Sequence, residues 1–514
     1  MEVREPMSRS QTHLGDMDLK DFRKYGYKTI DWIADYLADP DKYPVLAQVK
    51  PGQIREALPR SPPEDPEAMD SILKDLDQII VPGITHWNHP AFFAYFALTG
   101  SGPGILGELL SAAFNVNAML WKTSPAATEL EQVVLDWLRQ MLGLPADFQG
   151  IIYDTASISS LHAMTAAREA LEDLKVREEG LAGRPDIPRL RLYTSEQAHS
   201  SIEKGAILIG VGQRGVRKIP VDNEFRMDPA ALRHAIEEDV QSGWRPFCVV
   251  ATVGTTSTTS IDPVPEIAEI CKEKELWLHI DAAYGGAAAI LPEMRHVLDG
   301  CERADSIVVN PHKWLFTPID ASAFYCRRPD ILQKAFSLIP DYLRTSEGER
   351  VRNYMDYGIQ LGRRFRSLKL WMIFRYFGHK GLAARIREHI RLAHQFTSWV
   401  DDDPNFERLA PVPFSTVCFR ARPKDLADLL ENSSSSTDEI ERYLDSLNEA
   451  LLEAVNATGQ VYLSHTRLRD RFVIRLSIGN IRTTESHVSR AWKLLRDHAA
   501  RLDNERRPPV LRLH

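Results

Sequence analysis

Between residues 150 and 310 short, nearly continuous apolar runs alternate with stretches of helical periodicity, and few folds accommodate that alternation. Gly150-Ile151-Ile152-Tyr153 runs into Asp154-Thr155-Ala156-Ser157, after which Leu161, Met164, Ala167 and Leu171 mark a helix. Arg191-Leu192-Tyr193 leads through Ser195 into a second helical stretch. Phe247 to Val253 ends in Gly254-Thr255-Thr256, Leu276 to Ile280 ends at Asp281, and Ser306 to Val309 ends at Asn310. Strands apolar on both faces and joined through helices predict an α/β fold with a mostly parallel central sheet and helices on both faces. Ligands of such sheets bind beyond the carboxyl ends of the strands. The residues with chemical potential lie at those ends.

The flanks read differently. From Asp18 to Ala38, residues Phe22, Tyr25, Ile30, Ile33 and Leu37 recur at helical spacing, and a proline-rich break from Pro59 to Pro66 precedes an amphipathic segment, Glu67 to Ile80. Trp87 to Phe96 is a loop dense in aromatics, for which core packing and a binding surface are both open readings. Beyond Trp371 helical periodicity returns through Arg375, Leu382, Ile386 and Ile390. Strand-like runs follow at Ser415 to Phe419 and Phe472 to Ser477, Ser433 to Ser436 reads as a solvated loop, and Arg506 to His514 as a frayed tail. The division expected is a helical N-terminal segment (1–100), a large domain (101–370) and a small α/β C-terminal domain (371–514).

Composition narrows the function. A net charge of -8 disfavours nucleic-acid and anionic-membrane partners, which reward a basic face. The apolar runs are too short to span a bilayer, and the charged N-terminus has no apolar signal core. Five cysteines stand singly with no CxxC pair, so neither a disulfide framework nor a zinc knuckle is expected. A reduced, cytoplasmic, soluble enzyme with no resident metal is the expectation. HExxH, P-loop and GxSxG patterns are absent. Gly210 to Gly215 matches GxGxxG, but it follows a helical stretch and precedes a strand-like one, the reverse of a dinucleotide site, and reads as a turn.

Lys313 directly follows an apolar strand, between His312 and Trp314. Most lysines are solvated, yet an amine against an apolar wall loses proton affinity and can form a Schiff base. Asn310 and His312, on the same turn, can donate hydrogen bonds to a phosphate. Asp281 closes its strand ahead of Ala282-Ala283, and reads either as a helix cap or as a carboxylate paired with a protonated ring nitrogen, the small residues after it admitting a flat ring. His199 reads as structural or as an imidazole stacked on that ring. Thr155-Ala156-Ser157 stands where a strand gives way to a helix, which suits simple capping by Ser157 or an anion.

With Thr85-His86-Trp87, Phe92 to Phe96, Ser124 to Glu131, Gln197 to Ser201, Leu278 to Tyr284, Asn310 to Trp314 and Leu361 to Ser367, in that order along nearly the whole chain, the sequence resembles the group II pyridoxal 5′-phosphate (PLP)-dependent decarboxylases, most closely the aromatic-L-amino-acid decarboxylases. The resemblance implies a fold-type-I PLP enzyme, homodimeric, with its site at the subunit interface and an aromatic amino acid as substrate.

By position, Lys313 resembles the Schiff-base lysine, Asp281 the pyridinium partner and His199 the ring-stacking residue. Ala156, Ser157, Asn310 and His312 match phosphate-side contacts, Thr256 a residue near the cofactor hydroxyl, and Ala283 the residue beneath the ring. Trp87, Tyr95 and Phe96 match substrate-ring contacts. The segment Leu338 to Asp356 resembles the family's mobile catalytic loop, in which Tyr342 matches the tyrosine that protonates Cα; relatives with phenylalanine there tend to be aldehyde synthases. Ala97-Leu98 replaces the more usual Pro-Thr or Pro-Ser, and Met119 replaces a phenylalanine offered to the neighbouring subunit's site. Glycine at Gly362 is associated with acceptance of indoles. The rival readings are an aldehyde synthase, a decarboxylase of a non-aromatic amino acid and, from another class, a PLP-binding protein without turnover.

Overall fold

The computed structural model describes residues 15–338, 350–432 and 437–512. Its centre is a seven-stranded sheet built from β1 (Gln149–Tyr153), β2 (Arg189–Ser195), β3 (Val216–Ile219), β4 (Trp244–Thr252), β5 (Trp277–Asp281), β6 (Ser306–Val309) and β7 (Ser322–Cys326), in the order β1-β7-β6-β5-β4-β2-β3. Every neighbouring pair that excludes β7 is parallel, while β7 runs antiparallel to both β1 and β6. The mostly parallel sheet is as expected; β7 is an addition.

Side-chain alternation sends successive residues to opposite faces. Ile152, Tyr193, Val249, Ala251, Leu278, Ile280 and Val309 pack against Val134 and Leu138 of the helix Pro125–Leu142, Ile236 of Pro229–Gln241 and Ile267 of Val264–Glu273. Ile151, Tyr153, Leu192, Cys248, Val250, Trp277 and Val308 pack on the other side, against Met164 and Ala167 of Ala156–Glu169 and Ile202 of Ser200–Leu208. Both faces are therefore covered. Asp281, two and four residues beyond His279 and Trp277, lies on the second face.

A second, antiparallel sheet in the order β10-β11-β9-β8 uses β8 (Phe406–Arg408), β9 (Thr416–Ala421), β10 (Ser464–Leu468) and β11 (Arg471–Ser477). The helices Thr437–Ala457 and Glu485–Arg506 complete this smaller unit and share its apolar core. Leu511, 4% exposed, is part of that core, so the turn Pro509–Leu511 docks instead of fraying. The long helix Arg366–Asp402, broken at Gly378, begins earlier than its periodicity suggested. Its first turns cross the helix Gly102–Phe114 so closely that a Cβ on Gly107 would stand 2.6 Å from the Lys369 Cα.

Two of the segments singled out in the sequence meet in one buried ion pair. Glu131 Oε1 accepts from Arg363 Nη2 at 2.6 Å and from the Ile152 N–H at 2.9 Å, and Arg363 donates to the carbonyls of Ile152 and Ala118. Both side chains are almost wholly buried. Five free cysteines are buried. Among the described residues no helix is long and apolar enough to cross a membrane, and no cluster of side chains could hold a metal ion.

In the N-terminal region Asp18 caps the helix Leu19–Ala38 by accepting from the Lys20 N–H, and none of that helix's residues is buried. The Glu67–Ile80 prediction corresponds to the helix Met69–Asp75 and a π-turn at Leu76–Ile80.

Candidate active site

The ends of β4, β5 and β6 bring the chemistry together. Asp281 ends β5 in register with Thr252 of β4 and Val308 of β6. It is 6% exposed, and its Oδ1 accepts from the Ala283 N–H at 3.1 Å. That carboxylate ends a strand and caps no helix of its own. Beyond the strand ends the backbone closes up: Gly254 has φ +92°, and a Cβ on Gly285 would lie 2.6 Å from the Val253 carbonyl oxygen.

Lys313 lies in the single helical turn Pro311–Trp314 after β6, its N–H donating to the Asn310 carbonyl at 3.0 Å. Its amine stands over the Phe96 ring, 5.2 Å from the centroid. Burial lowers the amine's proton affinity and the Arg475 charge adds to that, while Asp281 works in the other direction. An amine so placed is a better nucleophile than an ordinary lysine.

His199 precedes the helix Ser200–Leu208 and caps it, Nδ1 accepting from the Ser201 N–H at 3.2 Å. Burial of the imidazole lowers its proton affinity, with Asp281 opposing and Lys313 reinforcing the effect. All three groups thus act on one another electrostatically.

Asn310 and His312 lie in contact on the turn that carries Lys313. His312 Nδ1 accepts from the Ala321 N–H at 3.0 Å, and burial pushes its pKa down to about 3, so the neutral ring carries its proton on Nε2. Nε2 is 3.2 Å from the Asn310 Nδ2, while Asn310 Oδ1 is buried without a partner. Turning the amide over pairs Oδ1 with the Nε2 proton and leaves an N–H group to donate elsewhere. Ala156 and Ser157 open the helix Ala156–Glu169, whose N-cap is Thr155, not Ser157. The first N–H groups of a helix have no partner within it and suit an anion. Thr256 is exposed just past β4, and Ala283 is buried two residues after Asp281.

The aromatic segment divides between the two open readings. Phe92 and Phe93 are wholly buried, Trp87 and Phe96 are half-buried, and Tyr95 is 50% exposed. Trp87 stacks on Tyr95 at 5.7 Å, and Phe96 on Tyr284 at 3.9 Å, with Tyr284 in turn on Trp314 at 4.7 Å. Leu98 is half-buried. Met119 and Gly362 form a separate group around Asn117, whose Nδ2 lies 3.4 Å from the Met119 sulfur and whose Oδ1 accepts from the Arg363 N–H. Tyr342 lies outside the described residues.

Residues 51–422 match the sequence family described as the pyridoxal-dependent decarboxylase conserved domain. This chain is a member of that family. Its cofactor is PLP and it is a carboxy-lyase. Tyrosine/DOPA decarboxylase 2 of Papaver somniferum is 42% identical over 503 residues, covering 94% of this chain and 93% of the relative. Phenylacetaldehyde synthase of a Rosa hybrid cultivar is 41% identical over 493 residues, 94% of each chain. A solved structure of Oryza sativa TDC with PLP and tryptamine superposes with a TM-score of 0.89 at 38% identity, covering 95% of this chain and all of that one.

The residues present fit PLP. Lys313 offers an amine of lowered proton affinity, Asp281 a buried carboxylate on the neighbouring strand, and Asn310 a buried amide atom still lacking a partner. Arg475 and Ser464 also frame the site, through the Tyr95 backbone, and no motif in the sequence marks them. An arginine in the middle of the otherwise apolar run Phe472 to Ser477 was the one visible signal.

Proposed function

We propose that this enzyme removes the α-carboxylate of an aromatic L-amino acid such as tryptophan, tyrosine, phenylalanine or a hydroxylated form, releasing the arylalkylamine and carbon dioxide. The observation that carries this reading is the Phe96 ring beneath the Lys313 amine, continued by Tyr95 and Trp87. A flat, apolar wall beside the reacting centre suits an arene.

In this reading Lys313 would hold PLP, Asp281 would keep its pyridine nitrogen protonated, and His199 would contact the ring. Ala156, Ser157, Asn310 and His312 would bind the phosphate, Thr256 would serve the ring hydroxyl, and Ala283 would pack on the ring. PLP supplies an electron sink for the pair released when the Cα–carboxylate bond breaks. Trp87, Tyr95, Phe96 and Leu98 orient the substrate so that the carboxylate is the group to leave, and their apolar surfaces exclude water. Tyr342 returns a proton to Cα, assisted by His199.

In the homodimer of this reading Met119 and Gly362, both beside Asn117, face the partner's site. Leu19, Phe22 and Tyr27 of the first helix and Leu109 and Phe114 of Gly102–Phe114 are more than half exposed, and a second copy would cover such apolar side chains. The three-part division at residues 100 and 370 belongs to the same reading, supported by the two separate sheets and by the helix break at Gly378. A cytoplasmic location is proposed on composition alone.

A panel of L-amino acids assayed for amine, aldehyde and peroxide tests the reaction. Aromatic substrates yielding amine without peroxide are expected. Turnover confined to glutamate or histidine would overturn the substrate, and aldehyde with peroxide would favour the second reading, an aldehyde synthase, which the Rosa relative brings into view. Lys313→Ala is expected to abolish both turnover and the visible absorbance of the bound cofactor. Sedimentation of the wild type tests the dimer.

A further inference from the structure

Tyr95 has φ 53°, in the left-handed region. That conformation is strained for a non-glycine residue and persists only where the surroundings over-determine it. Here the small sheet holds the residue from both sides. The Ser464 hydroxyl of β10 accepts the Tyr95 N–H at 3.1 Å, and Arg475 of β11 donates from Nη1 to the Tyr95 carbonyl at 2.5 Å. The same guanidinium lies 4.6 Å from the centroid of Phe96, and its Nε donates to the Ser257 carbonyl at 2.8 Å, one residue past Thr256.

Arg475 is only 4% exposed, its Nη2 has no hydrogen-bond partner, and among the described residues no carboxylate is paired with it. A buried cation without a counter-ion is destabilising. Two carbonyl oxygens and the face of one ring are what the position gains in return. All three belong to the rim of the Lys313 site.

We propose that Arg475, with Ser464, is a positioning residue: it holds Tyr95 and Phe96 in the conformation that makes them the wall of the substrate pocket, so the small sheet sets affinity for the aromatic side chain. The inference rests on the aromatic-substrate reading above. The Arg475 charge also disfavours the protonated form of the Lys313 amine, in keeping with its place behind Phe96.

The test compares wild-type holoenzyme with Arg475→Met, Arg475→Lys and Ser464→Ala, measuring the visible cofactor band, KM, kcat and the ratio of kcat/KM between two aromatic substrates. Removing a charged hydrogen bond should raise KM about tenfold or more in Arg475→Met, with the cofactor band retained, a smaller change in kcat and an altered substrate ratio. Arg475→Lys keeps the charge and can reach one carbonyl, so it should fall between, and Ser464→Ala should move KM the same way by less. An unchanged KM and substrate ratio in Arg475→Met, or a loss confined to kcat, would overturn the inference. If Arg475→Met fails to fold, Ser464→Ala decides, and an unchanged KM there sinks it. Failure of the substrate reading shows already in the wild type, which would then turn over no aromatic amino acid; failure of the present inference shows only in the variants.

Discussion

Asp281 and Lys313 each occupy a position that costs the fold something. A buried carboxylate at a strand end accepts from one backbone N–H, and a buried amine is held where its own charge is disfavoured. In the proposed reading both become favourable around a protonated ring carrying an aldehyde. Asp281→Asn removes the charge while keeping the shape. It is expected to lower kcat on the order of a thousandfold, as losing a preorganised electrostatic partner does elsewhere, with the protein still folded by circular dichroism. Loss of activity no greater than a few-fold would show that the ring nitrogen does not depend on this carboxylate. Lys313, Asp281 and His199 were legible as residues because each ends a strand or lies within four residues of a strand end. Arg475 and Ser464 were not, because what distinguishes them is a contact with Tyr95 across about 370 to 380 positions of sequence.

Elements are joined at two crowded places that the sequence showed only as motifs. Arg363→Met leaves Glu131 buried without its cation, which should destabilise the enzyme by about 3–5 kcal/mol in denaturant titration. Adding Glu131→Met should recover much of that loss, because an apolar pair of similar volume replaces an ion pair at little cost. If the double variant is no better than the single, the pair is not the unit described here. At the helix crossing, Gly107→Ala places a methyl 2.6 Å from the Lys369 Cα, and overpacking of this kind costs about 1–3 kcal/mol. An unchanged melting temperature would mean the helices slide apart freely. The sheet was readable from periodicity because six of its strands either stand before helices or carry long apolar runs. β7 is a five-residue run after a turn, and its antiparallel pairing to β1 and β6 is set by tertiary contact.

Across the whole molecule, buried imidazoles make the fold sensitive to acid. Burial pushes the pKa of His162 and His312 to about 3 and of His89, His279 and His389 to about 4, and all five side chains are buried. The unfolded chain protonates its histidines below about pH 6.5 while the fold excludes those protons, so stability is complete above that pH and is lost on acidification. At pH 5 each contributes a loss of about 2 kcal/mol. Asp262, held up at about 6 by burial, works the other way and offsets only part of this. The net is comparable to the whole stability of a typical domain, about 5–15 kcal/mol. Cooperative unfolding between pH 4 and 5.5 is therefore expected in fluorescence-monitored titration, and a fold intact at pH 4 would contradict the neutral assignment of these rings.

The clamp on Tyr95 also sets an order in time. Every residue of this chain assigned to the cofactor lies before residue 314, and β7, which completes the large sheet, ends at Cys326. The wall for the substrate depends on Ser464 and Arg475. At synthesis rates of about 5–20 residues per second, a growing chain holds its cofactor residues roughly 10–30 s before the arginine that fixes the aromatic wall has been added. A chain that stops before Ser464 therefore carries the residues assigned to the cofactor without the two side chains that hold the Tyr95 backbone.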